Sequence, residues 1–262
     1  MGVFMCDTCG CNVTKYHKAE NAHAVVVLRG LLADNDQQAA HNRAHFNAHG
    51  VLAINLMSSP GSGKTALLEA TIDALKNEYS IAVIEGDLET ENDAERIRDK
   101  GVPAHQITTG TACHLDARMV HEALHHMPLS GVDILFIENV GNLVCPASFD
   151  LGQHLNVTLL SVTEGDDKPA KYPVIFRAAD MVVVTKTDLM PYMDDFNIER
   201  VKTHVRNLAS TAPVIALSAR KDLDMDDWIS WLRKQRDALR GGDTLSAAKQ
   251  NFAGQRELDS VL

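Results

Sequence analysis

From residue 51 onward, short and almost unbroken apolar runs alternate with stretches of helical pattern. The runs cover 51–57, 81–85, 134–138, 157–162, 181–185 and 214–217. A strand with one wet face alternates apolar and polar side chains. These runs do not, so both of their faces must be covered. Helix candidates at 64–78, 91–100, 114–126, 194–209 and 224–240 supply the cover. The pattern predicts a three-layer α/β domain over 51–240, with a mostly parallel sheet and right-handed crossovers. Ahead of it, 1–16 is a short Cys-bearing arm. Residues 17–50 read as a helical linker segment, with an apolar stripe at Val25, Val26, Leu28, Leu31 and Leu32 and a stop at Gly50. Gly241-Gly242 breaks the last helix, and 241–262 is a polar C-terminal tail.

The first run leads straight into Ser58-Ser59-Pro60-Gly61-Ser62-Gly63-Lys64-Thr65, and a helical pattern follows. This fits G-x-x-x-x-G-K-[ST] except for Ser58 in first place. A strand, such a loop and a helix together make a phosphate cradle. Gly61 and Gly63 let backbone N–H groups close around phosphate oxygens, and the positive end of the helix faces them. Lys64 reaches the β- and γ-phosphates, and the Thr65 hydroxyl is a Mg²⁺ ligand. The candidate cradle is Ser59, Gly61, Ser62, Gly63, Lys64, Thr65 and Ala66.

Later strand ends bear on the base and on the γ-phosphate. Thr185-Lys186-Thr187-Asp188 resembles the guanine-reading N-K-x-D element of GTPases, with Thr185 where Asn is usual. A carboxylate at Asp188 accepts from guanine N1–H and the N2 amine, a donor pair that adenine lacks. Lys186 would lie along the base. Ser218-Ala219 falls where GTPases place an S-A element against guanine O6. Glu138-Asn139-Val140-Gly141 resembles D-x-x-G with Glu for Asp, and would sense γ-phosphate through the Gly141 amide. Asp87, just after the second run, is placed to hold Mg²⁺ or to orient the attacking water. Lys64, Asp87 and Glu138 are the candidate catalytic residues.

The net charge of −10 is opposite in sign to that of a general nucleic-acid binder. No apolar run approaches the roughly 20 residues of a spanning helix, which predicts no membrane insertion. The start of the chain lacks a charged n-region and a long apolar stretch, so the expected compartment is the cytosol. Five cysteines, an odd number in a reducing compartment, argue against a disulfide framework. Three of them fall in Cys6-Asp7-Thr8-Cys9-Gly10-Cys11, where soft thiolates can wrap one Zn²⁺, Ni²⁺ or Cu(I) ion. The other two are Cys113, beside His114 at the expected start of a helix, and Cys145, just beyond the proposed γ-phosphate sensor. His41, His45 and His49 share one helix face by their spacing, and His114, His121 and His125 share another. A solvated helix face is the simpler reading of both.

These pieces together resemble the HypB family, the hydrogenase nickel-incorporation GTPases. The resemblance covers the cysteine arm and nearly all of 45–240. It is carried by Met5-Cys6-Asp7-Thr8-Cys9-Gly10-Cys11, by the loop from Asn55 to Thr65, and by Glu85-Gly86-Asp87-Leu88-Glu89-Thr90. It continues in Glu138-Asn139-Val140-Gly141-Asn142-Leu143-Val144-Cys145-Pro146, Glu164-Gly165-Asp166-Asp167-Lys168-Pro169 and Lys171-Tyr172-Pro173. Ser58 is normal for that family; Thr185 departs from it. The resemblance implies a Mg²⁺-dependent GTPase, converting GTP to GDP and phosphate, that delivers nickel to the large subunit of [NiFe]-hydrogenase. It implies a homodimer favoured by GTP or metal, and a HypA-type nickel chaperone as partner. It also implies a tight nickel site on Cys6, Cys9 and Cys11, and a weaker nickel or zinc site at Cys113, His114 and Cys145. The competing readings are a nickel/zinc storage protein with a vestigial nucleotide site, a nickel chaperone GTPase for another enzyme such as urease, and a P-loop kinase.

Overall fold

The computed structural model describes residues 15–87 and 92–242. Seven strands form one sheet: β1 (Leu52–Ser58), β2 (Ile81–Asp87), β3 (Ala104–Thr108), β4 (Ile134–Glu138), β5 (Leu155–Ser161), β6 (Met181–Thr185) and β7 (Val214–Ala216). The helices are α1 (Lys15–His49), α2 (Lys64–Leu75), α3 (Asn92–Asp99), α4 (Ala117–Leu124), α5 (Lys168–Lys171), α6 (Pro173–Arg177), α7 (Ile198–Asn207) and α8 (Met225–Arg240). The strand order is β3-β2-β4-β1-β5-β6-β7, and each pair is parallel. All carboxyl ends therefore lie along one edge, and the loop leaving β1 emerges at its middle.

Side chains alternate across each strand, and both faces are dry. Leu52, Ile54 and Leu56 of β1, with Val83, Phe136, Val157 and Val183, pack on α2 and α8 through Leu68, Ile72, Trp228 and Leu232. On the other face, Val51, Ala53, Ile84 and Ile137 meet Phe46 of α1 and Val120 of α4. The β5–β6 half of that face is covered through Phe176 of α6 and Val201 and Val205 of α7. The expected three-layer architecture is the observed one.

The sequence pattern misses β3. It reads Ala-His-Gln-Ile-Thr, pairs only with β2, and is half-exposed along most of its length, so its residues need not be apolar. Two expected helix starts are also corrected. The 114–126 candidate begins at Ala117, because the Asp116 side chain caps it by accepting from the Met119 N–H at 2.8 Å. Cys113 and His114 therefore sit in the loop before the helix. The 194–209 candidate begins at Ile198, capped by Asn197, whose Oδ1 accepts from the Glu199 N–H at 2.8 Å.

The second half of α1 is tied to the sheet domain by specific polar contacts. Asn42 donates to the Ala117 carbonyl at 2.7 Å and the Leu151 carbonyl at 3.0 Å. Asn35 accepts from the Ala117 N–H at 2.9 Å, and Arg43 pairs with Asp150 at 2.6 Å. A Cβ on Gly152 would lie 2.5 Å from the Ala39 carbonyl, so only glycine lets α1 approach this closely.

Candidate nucleotide and metal site

Gly61 and Gly63 carry positive φ values of 73° and 97°, which a side chain would strain. Gly63 is the N-cap of α2 and makes no side-chain cap bond, so first-turn N–H groups are left for a ligand. A cleft of about 520 Å³ opens over them. Gly61, Gly63, Lys64, Thr65, Ala66, Glu138, Thr185, Lys186, Asp188, Ser218 and Ala219 all line it. Leu189 joins them, as do Asp93, Arg96 and Arg220, the last three not singled out from the sequence. Ser59, Ser62, Gly141 and Asp87 are not among the lining residues.

Ser59 and Ser62 turn away and fix the loop from behind. Both hydroxyls donate to Glu164, Ser62 at 2.6 Å. Glu164 also accepts from the Ser161 N–H at 2.9 Å, which anchors the loop to the end of β5. The guanine-type loop is tied to the phosphate loop as well. Thr185 Oγ1 donates to the Ser62 carbonyl at 2.6 Å, and Lys186 Nζ donates to the Gly61 carbonyl at 2.7 Å. Thr185, standing where Asn was expected, thus still holds the phosphate loop. Lys186 adopts a left-handed φ of 60°, uncommon for a side chain of its size. Ser218 donates to Asp188 Oδ1, which orients the carboxylate in the cleft.

The floor of the cleft is a buried charged group. Lys64 Nζ lies 3.1 Å from Ser58 Oγ and 3.8 Å from Glu138 Oε1. Thr65 Oγ1 donates to the same Glu138 oxygen at 3.1 Å. Glu85 and Glu138 face each other across the β2–β4 register. Glu138 Oε2 and Glu85 Oε1 are buried without a hydrogen-bond partner in the protein. Burial, and then the Glu138 carboxyl beside it, push the Glu85 pKa up to about 11. Burial also raises that of Glu138, with Lys64 pulling the other way. The pair therefore carries a proton at neutral pH, on Glu85.

The folded chain holds that proton while the unfolded chain releases it above about pH 4.5. Stability contributed by this group is thus lost as pH rises through the neutral range. In the nucleotide-free protein, Glu85→Gln should flatten this slope and raise the Tm at pH 8 by several °C. Identical pH dependence of Tm in the two proteins would refute the assignment.

Beyond Glu138 the chain passes under the phosphate loop. A Cβ on Gly141 would lie 2.8 Å from the Pro60 backbone. Gly141→Ala must therefore displace one loop or the other. We expect a 10–100-fold fall in nucleotide turnover, measured as phosphate release, with a smaller change in nucleoside diphosphate affinity. Unaltered turnover would show that this contact does not set the loop. Asn139 is 1% exposed and anchors the stretch. Its Oδ1 accepts from the Val140 N–H at 3.0 Å and the Leu115 N–H at 3.1 Å, and its amide donates to Asn55 of β1 at 3.2 Å.

Leu115 follows Cys113 and His114. Cys113 Sγ lies 3.2 Å from Cys145 Sγ and 3.8 Å from His114 Nδ1. Among the described residues, Cys113, His114 and Cys145 form a Cys/His set whose ligand atoms all lie within 4.8 Å of one another. The His114 ring stacks on Phe149 at 4.0 Å, and burial lowers its pKa, favouring the neutral form that binds metal. Asn142 donates to the Cys113 carbonyl at 3.2 Å and accepts from the Val144 N–H at 2.8 Å, bridging the two loops. The Cys113 thiol, and then burial, raise the Cys145 pKa. Metal must therefore displace a proton there. Soft sulfur with imidazole suits Ni²⁺ or Zn²⁺. Cys6, Cys9 and Cys11 lie outside the described residues.

The parallel sheet, the glycine loop and the Lys64–Thr65–Glu138 floor define a P-loop nucleotide-binding domain. Residues 52–216 match the family described as CobW/HypB/UreG, nucleotide-binding domain. The hydrogenase maturation factor HypB of Azotobacter chroococcum is 51% identical over 216 residues, covering 82% of this chain and 70% of that protein. The hydrogenase/urease maturation factor HypB of Helicobacter pylori is 42% identical, covering 81% and 88%. The crystal structure of HypB from Helicobacter pylori in complex with nickel superposes with a TM-score of 0.74 at 43% identity, covering 78% and 95%. The chain belongs to the CobW/HypB/UreG family, and within it to the HypB hydrogenase maturation factors.

Proposed function

We propose that this chain is a GTP-hydrolysing nickel metallochaperone that assists nickel insertion into [NiFe]-hydrogenase during maturation. The observation that carries the reading is one continuous segment. It starts at Glu138 under Lys64, passes Gly141 against Pro60, and ends at Cys145 beside Cys113 and His114. Nucleotide chemistry and metal ligation meet on eight residues of chain.

In this reading Asp188, Ser218 and Ala219 select guanine, and Lys186 lies along the base. Lys64 neutralises charge developing on the β- and γ-phosphates. Thr65, with Glu138 nearby, would hold Mg²⁺, and the hard oxygens and the unpartnered Glu138 Oε2 fit such an ion. When bound, Mg²⁺ supplies charge neutralisation at the phosphate oxygens. Asp87 orients the attacking water, and the Gly141 amide reports the γ-phosphate. Nickel is the cargo, held tightly by Cys6, Cys9 and Cys11 and exchanged at Cys113, His114 and Cys145, where Zn²⁺ competes.

We place the protein in the cytosol as a homodimer favoured by GTP or metal, serving a HypA-type chaperone and the hydrogenase large subunit. Leu189, Met190 and Met193 pack only partly on the core, and Tyr192 beside them is 81% exposed, which favours this surface for the dimer. The test is steady-state turnover of GTP and ATP, with and without Ni²⁺. GTP-selective hydrolysis that changes with nickel is expected. Tight nickel binding with no hydrolysis would leave a storage protein instead.

A further inference from the structure

The two histidine faces read from the sequence meet in space. His41 and His45 lie one turn apart on α1. His121 lies on α4, and His125 is its C-cap. The His41 and His121 rings have centroids 5.1 Å apart, His121 and His125 4.9 Å, and His45 and His49 4.4 Å. Two imidazoles sharing one ion through nitrogens at about 2.0–2.1 Å put each ring centre about 3.2 Å from it; at ligand angles of about 90–110° the ring centres are then roughly 4.5–5.2 Å apart. The two pairs that meet at His121 fall inside that window by ring-centre spacing, and their nitrogens converge on an ion only after the rings turn. We propose that His41, His121 and His125, with His45 at the edge, form a separate surface site for one divalent transition-metal ion of the Ni²⁺ or Zn²⁺ type.

The scaffold beneath is rigid where it needs to be. Asn35 and Asn42 of α1 bond both the N–H and the carbonyl of Ala117, the first residue of α4. The two helices are thereby fixed side by side, and each carries its histidines to the same surface. His41 and His125 are exposed and His45 and His121 half-exposed, so their rings turn onto an ion without disturbing the core. Burial and the neighbouring imidazoles lower the pKa of His45 and of His121, which keeps these ligands neutral. The adjacent carboxylate, Glu122, is paired with Arg118 at 3.2 Å and leaves the cluster to imidazole. Such a donor set suits Zn²⁺, Ni²⁺ and Cu²⁺, and disfavours Mg²⁺ and Ca²⁺. The site shares no ligand with Cys113, His114 and Cys145, although α4 begins three residues after His114.

The test uses the full chain and Zn²⁺ or Ni²⁺ alone. Equilibrium dialysis with the metal quantified should give one equivalent more for the parent than for His41→Ala/His121→Ala. The thiolate-to-nickel charge-transfer absorption should be the same in both. Equal stoichiometry would overturn the proposal. Histidine-selective NMR of the unmodified protein gives a second reading that needs no variant. With metal added beyond the cysteine sites, the ring signals of His41, His121 and His125 should shift before that of His204 on α7. If His204 responds at the same metal concentration, the cluster is not a site.

Discussion

GTP turnover is expected to fall at least about a hundredfold when Lys64 is replaced by alanine. Lys64 is 7% exposed, and its ammonium sits 3.8 Å from Glu138, at the start of α2 where the phosphates arrive. Of the other cations lining the cleft, Lys186 is held by the Gly61 carbonyl at 2.7 Å. Arg96, also on its wall, is engaged by Glu69 at 2.8 Å and Asp93 at 2.7 Å. Removing a single preorganised charge partner from a water-poor site costs roughly 10²–10³ in rate. The loss here is compounded, because Glu138 then faces incoming phosphate without the Lys64 charge beside it. Phosphate release at saturating GTP is the measurement. Turnover within tenfold of the parent would remove Lys64 from the mechanism.

Asp188→Asn is expected to weaken GTP about a hundredfold and to favour xanthosine nucleotides. A carboxylate accepting from both N1–H and the N2 amine makes two charge-assisted bonds, each worth about 1.5–3 kcal/mol. The amide keeps one acceptor and turns a donor toward the N2 amine, where guanine also donates. Xanthine places a carbonyl there and restores the match. Ser218 keeps its bond to the retained oxygen, so the loop itself should hold its shape. Competition binding of GDP and xanthosine diphosphate reads the exchange. A variant that still prefers GDP would show that Asp188 does not read the base, and equal parent affinity for ATP and GTP would do the same.

The residues legible in the sequence are those whose role is local. The phosphate loop is one contiguous stretch with a strand before it and a helix after it. The central strands are dry on both faces and must read as apolar runs. β3 hides because an edge strand tolerates His105 and Gln106. Glu164 and Asn139 stand in quoted motifs, yet their work is done across 105 and 84 residues of chain, on Ser59 and Asn55. Phe149 carries no motif at all; only the fold brings it over His114. Glu85 reads as the apolar run's polar end, and its raised pKa arises from burial and then from Glu138, two strands later in sequence. The helical spacing of the histidines is visible, but that α1 and α4 lie together depends on Asn35 and Asn42 meeting Ala117. Cys113 and Cys145, 32 residues apart, are linked in the sequence only by the family resemblance, and the fold brings their Sγ atoms to 3.2 Å.

Nucleotide state and metal affinity are expected to be coupled through the stretch from Gly141 to Cys145. Gly141 touches the phosphate loop, and Asn139 ties the same stretch to Leu115, so a shift at one end must reach both thiols. A variant with Cys6, Cys9 and Cys11 changed to Ser isolates the inner site. Ni²⁺ is titrated into it with GDP and with a non-hydrolysable GTP analogue, following thiolate charge-transfer absorption. The account predicts affinities that differ between the two states by about 5–150-fold, with the reciprocal effect on nucleotide affinity, and loss of the band in Cys145→Ala. Identical affinity and spectra in both states, or a band that survives in Cys145→Ala, would contradict it.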